Sequence, residues 1–500
     1  MATEPKNYVD YETALKHFDV VFGIEVHIEL STKTKLFCSA PNAFGAEPNT
    51  LISPVSLGLP GALPVLNEKA VEYAIKLGLA LNAKINKKSY FARKNYYYPD
   101  LTKNYQTSQS DEPTIGEGHL DLQISDTEMF RIDIERAHLE EDAGKNTHVG
   151  GAEGRIFGAQ YSLVDYNRAG VPLIEIVTKP VFGAGENAPE IIAKYVRELR
   201  DIARTLEISD ARMERGNVRA DINISLSPKG SGKLGIRSET KNVNSFRSIE
   251  AAAHYEIIRH ASILLEGETV TQETRHWHEA TSSTTSGREK SNADDYRYFP
   301  EPNLVPVVIS DEWIDQIRAE MPELPAHKRA RLTKEWGFSP KDMQDVLNAD
   351  ALALVEMTVT HGTSAHNAKK WWLGELSRIA KEASLSLTDL AITPENVAEI
   401  QKLIDDGKVN DKIARKIITD VIAGKGTVAE IVANENLEIV SDDSALKKFV
   451  QEALAEQPDV AEKLRNGNMQ PIGVIIGIVM KKSQGKADAK KVREIILAEK

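Results

Sequence analysis

The period of the apolar residues changes near residue 310, and this change limits the possible folds more than any other feature of the chain. Up to that point short alternating segments, such as RIDIE and ADINISL, are joined by turns rich in glycine and proline. Alternation is typical of half-buried β-strands. After NLVPVVIS the apolar residues recur at helical spacing instead. The sequence therefore predicts an α+β protein, with a mixed or antiparallel sheet first and an all-α half after it.

The chain is long enough for several domains, since 500 residues exceed what one hydrophobic core usually organises. In the first half, apolar spacing predicts helices over 191–207 and about 248–265, the second ending before Gly267. In the second half, the small residues 423–426 separate two helical blocks. We predict a sheet domain over 1–309, a helical domain over 310–424 and a small helical tail over 425–500.

Charge and cysteine content narrow the functional classes. A net charge of −12 argues against a surface that binds nucleic acid throughout, although residues 481–500 hold seven Lys or Arg against three acidic residues. That patch is either a solvated helix face or an RNA contact. The N-terminus lacks the pattern of a signal peptide, no apolar run is long enough for a bilayer, and Cys38 is the single cysteine. We expect a cytoplasmic protein.

The stretch GIEVHIEL, residues 23–30, aligns Glu25, His27 and Glu29 on one face of a strand. An ordinary solvated face explains such a pattern when it stands alone. Other strands repeat it, however, and each offers a carboxylate to one face: Glu140 and Glu141 in HLEEDAGK, Glu175 in PLIEIV, Asp221 in ADINISL and Glu239 in GIRSETK. If these faces line one cleft, their repulsion requires a hard divalent cation. Oxygen-rich ligation favours Mg²⁺, with Mn²⁺ possible because His27 is an unusual Mg²⁺ ligand.

Two lysines accompany these carboxylates. KNYYYPDLTKNYQ interleaves Lys94 and Lys103 with tyrosines, which suits RNA stacking, a substrate phosphate, a hydrophilic passage or an aromatic core segment with surface lysines. The HWH of residues 276–278 is interpreted as structural. No GxxxxGK[ST] loop or GxSxG elbow occurs in the chain, so bound ATP would need a site without a P-loop.

Several long motifs occur together and in order: GIEVHIEL, FGAEPNT, LGLPGALPVLN, RKNYYYPDLTKNYQ, HLEEDAGK, YNRAGVPLIEIV, SETKNVNSF and DDYRYFPEP. With these motifs the chain resembles the B-subunit family of the GatCAB aspartyl/glutamyl-tRNA amidotransferases. The resemblance extends over essentially the whole length, to IGVIIGIVMKKSQGKAD.

The resemblance implies an ATP-dependent carbon–nitrogen ligase that acts on tRNA-bound Glu or Asp. Such enzymes phosphorylate the side-chain carboxylate and then amidate it with ammonia, because an oxide ion is a very poor leaving group. Mg²⁺ assists by screening the phosphates. By resemblance the metal-centred cluster comprises Glu25, His27, Glu140, Glu141, Glu175, Asp221 and Glu239. Lys94 and Lys103 resemble the lysines that, with Glu141, line the ammonia route, and these three are the expected catalytic residues.

The resemblance also implies partners. The ammonia would come from an amidase-type glutaminase, the A subunit of such complexes, and a small C subunit would complete a heterotrimer. A YqeY-like tail would contact the outer part of Glu-tRNA(Gln) or Asp-tRNA(Asn). The expected phosphate contacts are Lys481, Lys482, Lys486, Lys490 and Lys491.

One departure from the family concerns zinc. Many relatives carry a CxC…CxxC knuckle in the early region, but here only Cys38 remains, with Ala40, Ser53 and Ser56 at the other positions. Four-thiolate ligation of zinc is therefore impossible, and no structural zinc is expected.

Two other hypotheses stay open on the sequence alone. The chain could be a tRNA-binding scaffold whose acidic cluster is structural, or a free-standing ligase of a small carboxylic acid. Removal of one carboxylate should abolish amidation in the enzyme but leave turnover largely intact if the chain is a scaffold. Activity on free glutamate without tRNA would favour the free-standing ligase.

Overall fold

A computed structural model describes residues 4–109, 111–125, 128–151, 156, 158–289, 293–437, 443–465, 469–483 and 487–498. The chain forms two compact units, Met1–Lys328 and Arg329–Lys500. The strands are β1 (Phe18–Glu29), β2 (Lys88–Ser89), β3 (Ala92–Asn95), β4 (Tyr105–Ser108), β5 (Gly118–Gln123), β6 (Met129–Glu141), β7 (Lys145–Val149), β8 (Tyr161–Asp165), β9 (Pro172–Thr178), β10 (Val218–Pro228), β11 (Ser238–Val243), β12 (Glu273–His278), β13 (Ser283–Glu289), β14 (Phe299–Pro300) and β15 (Val307–Val308).

The helices of the first half are few, and those of the second half follow one another closely. They are α1 (Tyr11–His17), α2 (Glu68–Ala80), α3 (Ala188–Thr205), α4 (Phe246–Leu265), α5 (Asp311–Ala319), α6 (Pro325–Trp336), α7 (Pro340–Asn348), α8 (Leu352–Thr360), α9 (Ala365–Trp371), α10 (Ser377–Ala383), α11 (Pro394–Asp405), α12 (Asp411–Ile422), α13 (Val428–Asn434), α14 (Asp443–Glu456), α15 (Pro458–Arg465), α16 (Ile472–Lys482) and α17 (Ala489–Ala498).

An eight-stranded sheet organises the first unit, in the order β13-β12-β11-β10-β1-β9-β6-β5. β11 and β12 run parallel, and the other neighbouring pairs are antiparallel. Smaller sheets join β14 with β3 and β4, β15 with β2, and β7 with β8. The mixed sheet followed by helices confirms the predicted α+β class.

The central strand β1 shows why one face of the sheet became the core. Ile24, Val26 and Ile28 alternate with polar residues and are buried in the hydrophobic core of this unit. Burial of such a side chain stabilises the fold by about 1.5–3 kcal/mol, and Ile28→Ala is expected to cost about 2–5 kcal/mol. Because neighbouring side chains point to opposite faces, the polar residues of β1 all lie on the other face.

Both helices predicted in the first half are confirmed, with starts two or three residues earlier than predicted. In α3, Tyr195, Val196 and Leu199 are buried in the same core as β1. In α4, the Ser245 hydroxyl accepts a hydrogen bond from the Ser248 N–H at 3.0 Å, which satisfies one unpaired donor of the first turn. The helices therefore pack against one sheet face and leave the other for the site.

The change to helices occurs where the apolar period predicted it. Ser310 caps α5 by accepting from the Trp313 N–H at 3.2 Å, and β15 is the last strand among the described residues. α5 still belongs to the first core, through Ile314 and Ile317. The predicted domain divisions at 309/310 and 424/425 stay predictions.

The second unit contains two hydrophobic cores. The larger core spans Leu332–Leu437 and includes Trp371 and Trp372. The indole nitrogen of Trp371 donates to Gln401 Oε1 at 2.6 Å, so a large apolar ring is buried without an unpaired donor. The smaller core spans Leu446–Ile496 and is built by α14, α15, α16 and α17. Among the described residues, no helix has the length and apolar character needed to cross a bilayer.

Candidate active site

The polar face of the large sheet forms the floor of a cleft of about 850 Å³. Strand register brings the site residues into rows across this floor. His27 of β1 lies between Glu175 of β9 and Arg219 of β10, and Glu25 lies opposite Asp221. In the next pair of strands, β10 and β11, Glu239 lies opposite Asn223.

His27, Glu140 and Glu175 form one group, the His27 triad, whose potential ligand atoms all lie within 4.8 Å of one another. His27 Nε2 is 3.6 Å from Glu140 Oε1 and 3.8 Å from Glu175 Oε2. Glu140 is only 3% exposed and also accepts a hydrogen bond from the Ser108 hydroxyl at 3.2 Å. Two carboxylates and one imidazole nitrogen are thus held close together by three different strands.

Charges around Glu175, a member of the His27 triad, keep its carboxylate ionised. Burial raises the pKa of Glu175, but His27, His138 and Lys94 lower it more, so this pKa lies well below its usual range. Burial lowers the pKa of Lys94, yet the charges of Glu140 and Glu175 outweigh that effect and raise it above its usual range. A protonated lysine and an ionised carboxylate therefore share this end of the cleft.

Glu25, Asp221 and Glu239 form a second group, the Asp221 triad, also within 4.8 Å. Each of these carboxylates has a neighbour that fixes it, and for Glu239 this is the Thr274 hydroxyl, which donates to Glu239 Oε2 at 2.9 Å. Asn223 Nδ2 donates to Glu25 Oε1 at 3.1 Å, and Lys241 forms an ion pair with Asp221. Burial lowers the pKa of Lys241, but Asp221 and Glu239 raise it to a net value above its usual range. A lysine ammonium thus offsets part of the negative charge of this triad.

The donor atoms of both triads suit a hard divalent cation. Five of the six side chains offer carboxylate oxygens, which Mg²⁺ and Mn²⁺ prefer, and the sixth is an imidazole. The seven residues predicted for one metal cluster are therefore divided: six lie in two triads. Glu141 points elsewhere.

Glu141 follows Glu140 in β6, so its side chain faces the opposite way. It forms an ion pair with Lys103 and accepts a hydrogen bond from the Thr107 N–H at 2.9 Å. Gly58 packs on Lys103 so closely that a Cβ there would lie 2.9 Å from Lys103 Cγ. Two of the predicted catalytic residues, Lys103 and Glu141, are thus held in a largely buried pair, while Lys94 lies at the His27 triad.

Several residues that line or support the cleft were not predicted as site residues from the sequence. His138 Nε2 lies 3.1 Å from Glu175 Oε2, and His276, interpreted from the sequence as structural, lines the cleft. Arg219 Nη2 donates to Asp142 Oδ2 at 2.9 Å at the cleft wall. The signal for His138 was its two-residue spacing from Glu140, which puts both on one strand face. The arginine and His276 follow only from strand pairing.

A side cavity of about 500 Å³ adjoins the cleft and shares Arg168 with it. Glu29, which shares a strand face with Glu25 and His27, lies half-buried in this cavity and accepts a hydrogen bond from Asn217 Nδ2 at 2.7 Å. The pKa of Glu29 is raised, mainly by burial and secondly by the negative charge of Asp142. The polar face of β1 therefore serves two cavities.

The loop in which the family resemblance implies a zinc knuckle is held by hydrogen bonds in this chain. The Ser53 N–H donates to Ser56 Oγ at 2.8 Å, and the Ser56 N–H donates to Ser53 Oγ at 3.1 Å. Cys38 is a free thiol, and Ala40 is buried. The two serines thus cross-link this turn through hydrogen bonds.

Four of the five predicted tRNA contacts lie at the ends of two successive helices of the second unit. Lys481 and Lys482 end α16, and Lys490 and Lys491 begin α17. Lys482 is engaged by Glu452 at 3.0 Å and by Glu456 at 2.7 Å. Lys486 lies outside the described residues.

Family models match both parts of the chain. A model described as the GatB/GatE catalytic domain matches residues 20–315, and a model described as the GatB domain matches residues 353–499. The catalytic model thus covers the sheet, both triads and the Lys103–Glu141 pair. Together with this cleft, the matches define the class of protein: an enzyme with a GatB/GatE-type catalytic domain.

Curated relatives resemble the chain along nearly its whole length. The B subunit of the aspartyl/glutamyl-tRNA(Asn/Gln) amidotransferase of Bifidobacterium animalis is 59% identical over 97% of this chain and 98% of the relative. The proteins of the same name from Paenarthrobacter aurescens and Streptomyces coelicolor are 58% and 56% identical, over 98% and 99% of this chain and 97% and 98% of the relatives. The chain belongs to the GatB family of amidotransferase B subunits, which confirms the resemblance inferred from its motifs.

Proposed function

We propose that this chain uses ATP to phosphorylate the side-chain carboxylate of Glu-tRNA(Gln), Asp-tRNA(Asn) or both, and that ammonia then displaces the phosphate. The products would be Gln-tRNA(Gln) and Asn-tRNA(Asn). The observation that carries this proposal is that the His27 triad and the Asp221 triad lie on one sheet face, and that His27, Glu140 and Asp221 line one cleft beside a half-buried, protonated lysine, Lys94. A phosphoryl transfer between anionic groups requires such a concentration of cation ligands.

The two triads would hold Mg²⁺, for which Mn²⁺ could substitute. When bound, Mg²⁺ supplies charge screening for the phosphates and for the substrate carboxylate. Lys94, kept protonated by Glu140 and Glu175, would attract and orient an anionic substrate at the same end of the cleft. Lys241 would release Asp221 when a divalent cation takes its place beside the carboxylates.

The ammonia route would involve Lys103 and Glu141. Glu141 is 5% exposed and its carboxylate is already oriented by the Thr107 N–H, so it could accept a hydrogen bond from ammonia at a fixed point. Gln106 Nε2 donates to the Glu141 carbonyl at 2.8 Å, which holds the backbone there. An enclosed supply is useful because ammonia is mostly protonated in water near neutral pH.

The names of the relatives describe them as the B subunit of an amidotransferase. We infer that this chain, likewise, assembles with an amidase-type glutaminase and a small C subunit into a heterotrimer. The smaller core, Leu446–Ile496, would form a tail domain that contacts tRNA through the lysines at the end of α16 and the start of α17. A cytoplasmic location is proposed because aminoacyl-tRNA is used there.

Phosphoryl transfer without ammonia tests the proposal directly. The chain is purified with its glutaminase and small-subunit partners and given Glu-tRNA(Gln), Mg²⁺ and γ-labelled ATP, while glutamine and ammonia are withheld. Labelled glutamyl phosphate should form in the wild type and be lost in Glu175→Gln and Asp221→Asn. Asp121→Asn, in an exposed pair with Arg131 on β5 and β6, is the matched control. If, once glutamine is supplied, the two site variants amidate tRNA as fast as the wild type, the triads are structural and the scaffold hypothesis is favoured.

A further inference from the structure

The side cavity, which the proposed reaction leaves without a role, contains an exposed aromatic ring. Phe44 is 74% exposed, although it lines the cavity together with Asn42, Ser209 and Asn217. A large apolar ring in this position gains little from burial within the chain. Its exposure makes it available to a ligand.

An arginine is stacked on that ring. The guanidinium carbon of Arg215 lies 5.2 Å from the centroid of the Phe44 ring. Arg215 ends a short turn, Met213–Arg215, and Gly216 follows with a φ of +77°, a conformation that favours glycine and turns the chain into β10. A flat ring with a cation on it and most of its surface in solvent is the kind of platform on which nucleic-acid bases stack.

The position of the cavity relative to the cleft is the third observation. Glu29 of the cavity and His27 of the His27 triad share one face of β1 and are two residues apart, roughly 7 Å along the strand. Arg168 lines both spaces, and its Nε lies 3.2 Å from Asp142 Oδ2, which keeps its guanidinium at the shared wall. A ligand with its ring in the cavity could therefore extend an anionic end toward the triads.

We propose that the side cavity binds the adenine ring of a substrate, with Phe44 and Arg215 as the stacking platform. This inference rests on the proposed function, because both substrates of that reaction end in an adenosine: ATP itself and the 3′ end of the aminoacylated tRNA. Asn42, Ser209 and Asn217 supply polar groups at the wall of the cavity, as recognition of a base edge requires.

Two measurements on the complete complex distinguish the two sources of the adenine. ATP binding is measured by equilibrium dialysis without tRNA, and the KM for Glu-tRNA(Gln) is measured at saturating ATP. If the cavity takes ATP, Phe44→Ala raises the Kd for ATP about ten- to a hundredfold and leaves the KM for tRNA unchanged. If the cavity takes the terminal adenosine, the KM for tRNA rises by that factor and the Kd for ATP is unchanged.

Further variants separate stacking from a structural role. Phe44→Trp, which keeps a stacking surface, should retain affinity, whereas Phe182→Ala, an aromatic that is 46% exposed outside the cavity, should change neither constant. The proposal is overturned if Phe44→Ala leaves both constants unchanged, or if Phe44→Trp is as impaired as Phe44→Ala. Equilibrium dialysis measures ATP binding without turnover. If the wild type shows no phosphoryl transfer, the proposed function is refuted, but the effect of Phe44→Ala on the Kd for ATP can still be measured.

Discussion

His138 Nε2 lies 3.1 Å from Glu175 Oε2, and Glu175 is paired in the sheet with both His138 and His27. His138 is 4% exposed, so it is a buried partner of a carboxylate in the His27 triad and lies outside the triad itself. Partners of this kind orient the groups that bind a metal, and their loss weakens metal affinity.

The first prediction therefore concerns the metal dependence. His138→Gln is expected to raise the Mg²⁺ concentration that gives half-maximal phosphoryl transfer about 10–100-fold, with a smaller effect at saturating Mg²⁺. The measurement is a Mg²⁺ titration of glutamyl-phosphate formation. His119→Gln is the control, because His119 lies on the edge strand β5, away from the His27 triad. Its partner Asp133 is in the first half of β6, whereas Glu140 of the triad is near the end of that strand. An unchanged Mg²⁺ midpoint in His138→Gln would contradict this role.

The second prediction separates ammonia delivery from activation. In Glu141→Gln the largely buried Lys103 loses its anionic partner, which costs about 1–3 kcal/mol at this position and disturbs the route. Glutamine-supported amidation should fall about tenfold or more, while glutamyl-phosphate formation persists. Lys103→Met combined with Glu141→Gln should be less impaired than the sum of the two single effects, because the variants act on one pair. Equal loss of both activities in Glu141→Gln would instead assign Glu141 to the metal cluster.

The third prediction concerns a buried charge network beneath β11 and β12. Glu256 of α4 is 0% exposed and accepts from Arg259 Nη2 and from the Ser238 hydroxyl, each at 2.7 Å. Burial raises the pKa of Glu256, but Arg259 and His260 lower it by more than burial raises it. The pKa of this carboxyl therefore lies well below its usual 4.5. A lowered folded-state pKa contributes stability that is present above pH 4.5 and is lost as the pH falls toward the folded-state value.

Glu256→Gln is accordingly expected to lower the free energy of unfolding by about 3–5 kcal/mol at neutral pH, because buried arginines lose their anion. The variant should also lose less additional stability than the wild type on acidification below pH 4.5. Thermal melts across this pH range test both effects. Glu250→Gln, on the exposed side of the same helix, should melt like the wild type. A parallel acid dependence in Glu256→Gln and wild type would refute the assignment.

The faces of the strands could be predicted from the sequence, but their pairing could not. Alternation in GIEVHIEL puts Glu25 and His27 on one face, whatever strand lies beside them. The register between strands decides which residues lie opposite each other, and tertiary packing decides the register. In this fold Glu25 lies opposite Asp221, and His27 lies opposite Glu175. For this reason one cluster was predicted where two triads occur.

Glu140 and Glu141 show the same limit at the end of one strand. Their adjacency establishes that they face opposite ways, but no local pattern tells which of the two faces the cleft. The structure assigns Glu140 to the His27 triad and Glu141 to Lys103. The α-helices were easier to predict, since helical spacing is a local property that α3 and α4 retain in the fold.

A fourth prediction follows from Ser53 and Ser56, which stand where the family resemblance implies zinc-binding cysteines. Because Ser53 and Ser56 hydrogen-bond each other, the loop should fold without zinc. Elemental analysis of the purified chain should find no stoichiometric zinc, and a zinc chelator should leave its melting temperature unchanged. Ser56→Ala, which removes one hydroxyl of the pair, should lower stability by about 0.5–1.5 kcal/mol. The prediction would be contradicted if the wild type contained stoichiometric zinc and the Cys38→Ser variant did not.

The last prediction concerns tRNA binding by the tail. Lys490 is exposed and lies in the first turn of α17, where a cation is unfavourable for the helix dipole, so it is the side chain chosen for the test. Each phosphate contact that is removed should reduce the slope of log K against log salt by roughly 0.7–0.9. Lys490→Ala should show this loss in tRNA-binding titrations at several salt concentrations. Lys482→Ala should show less, because Glu452 and Glu456 already engage that ammonium. Equal salt slopes for wild type and Lys490→Ala would mean that this side chain does not contact phosphate.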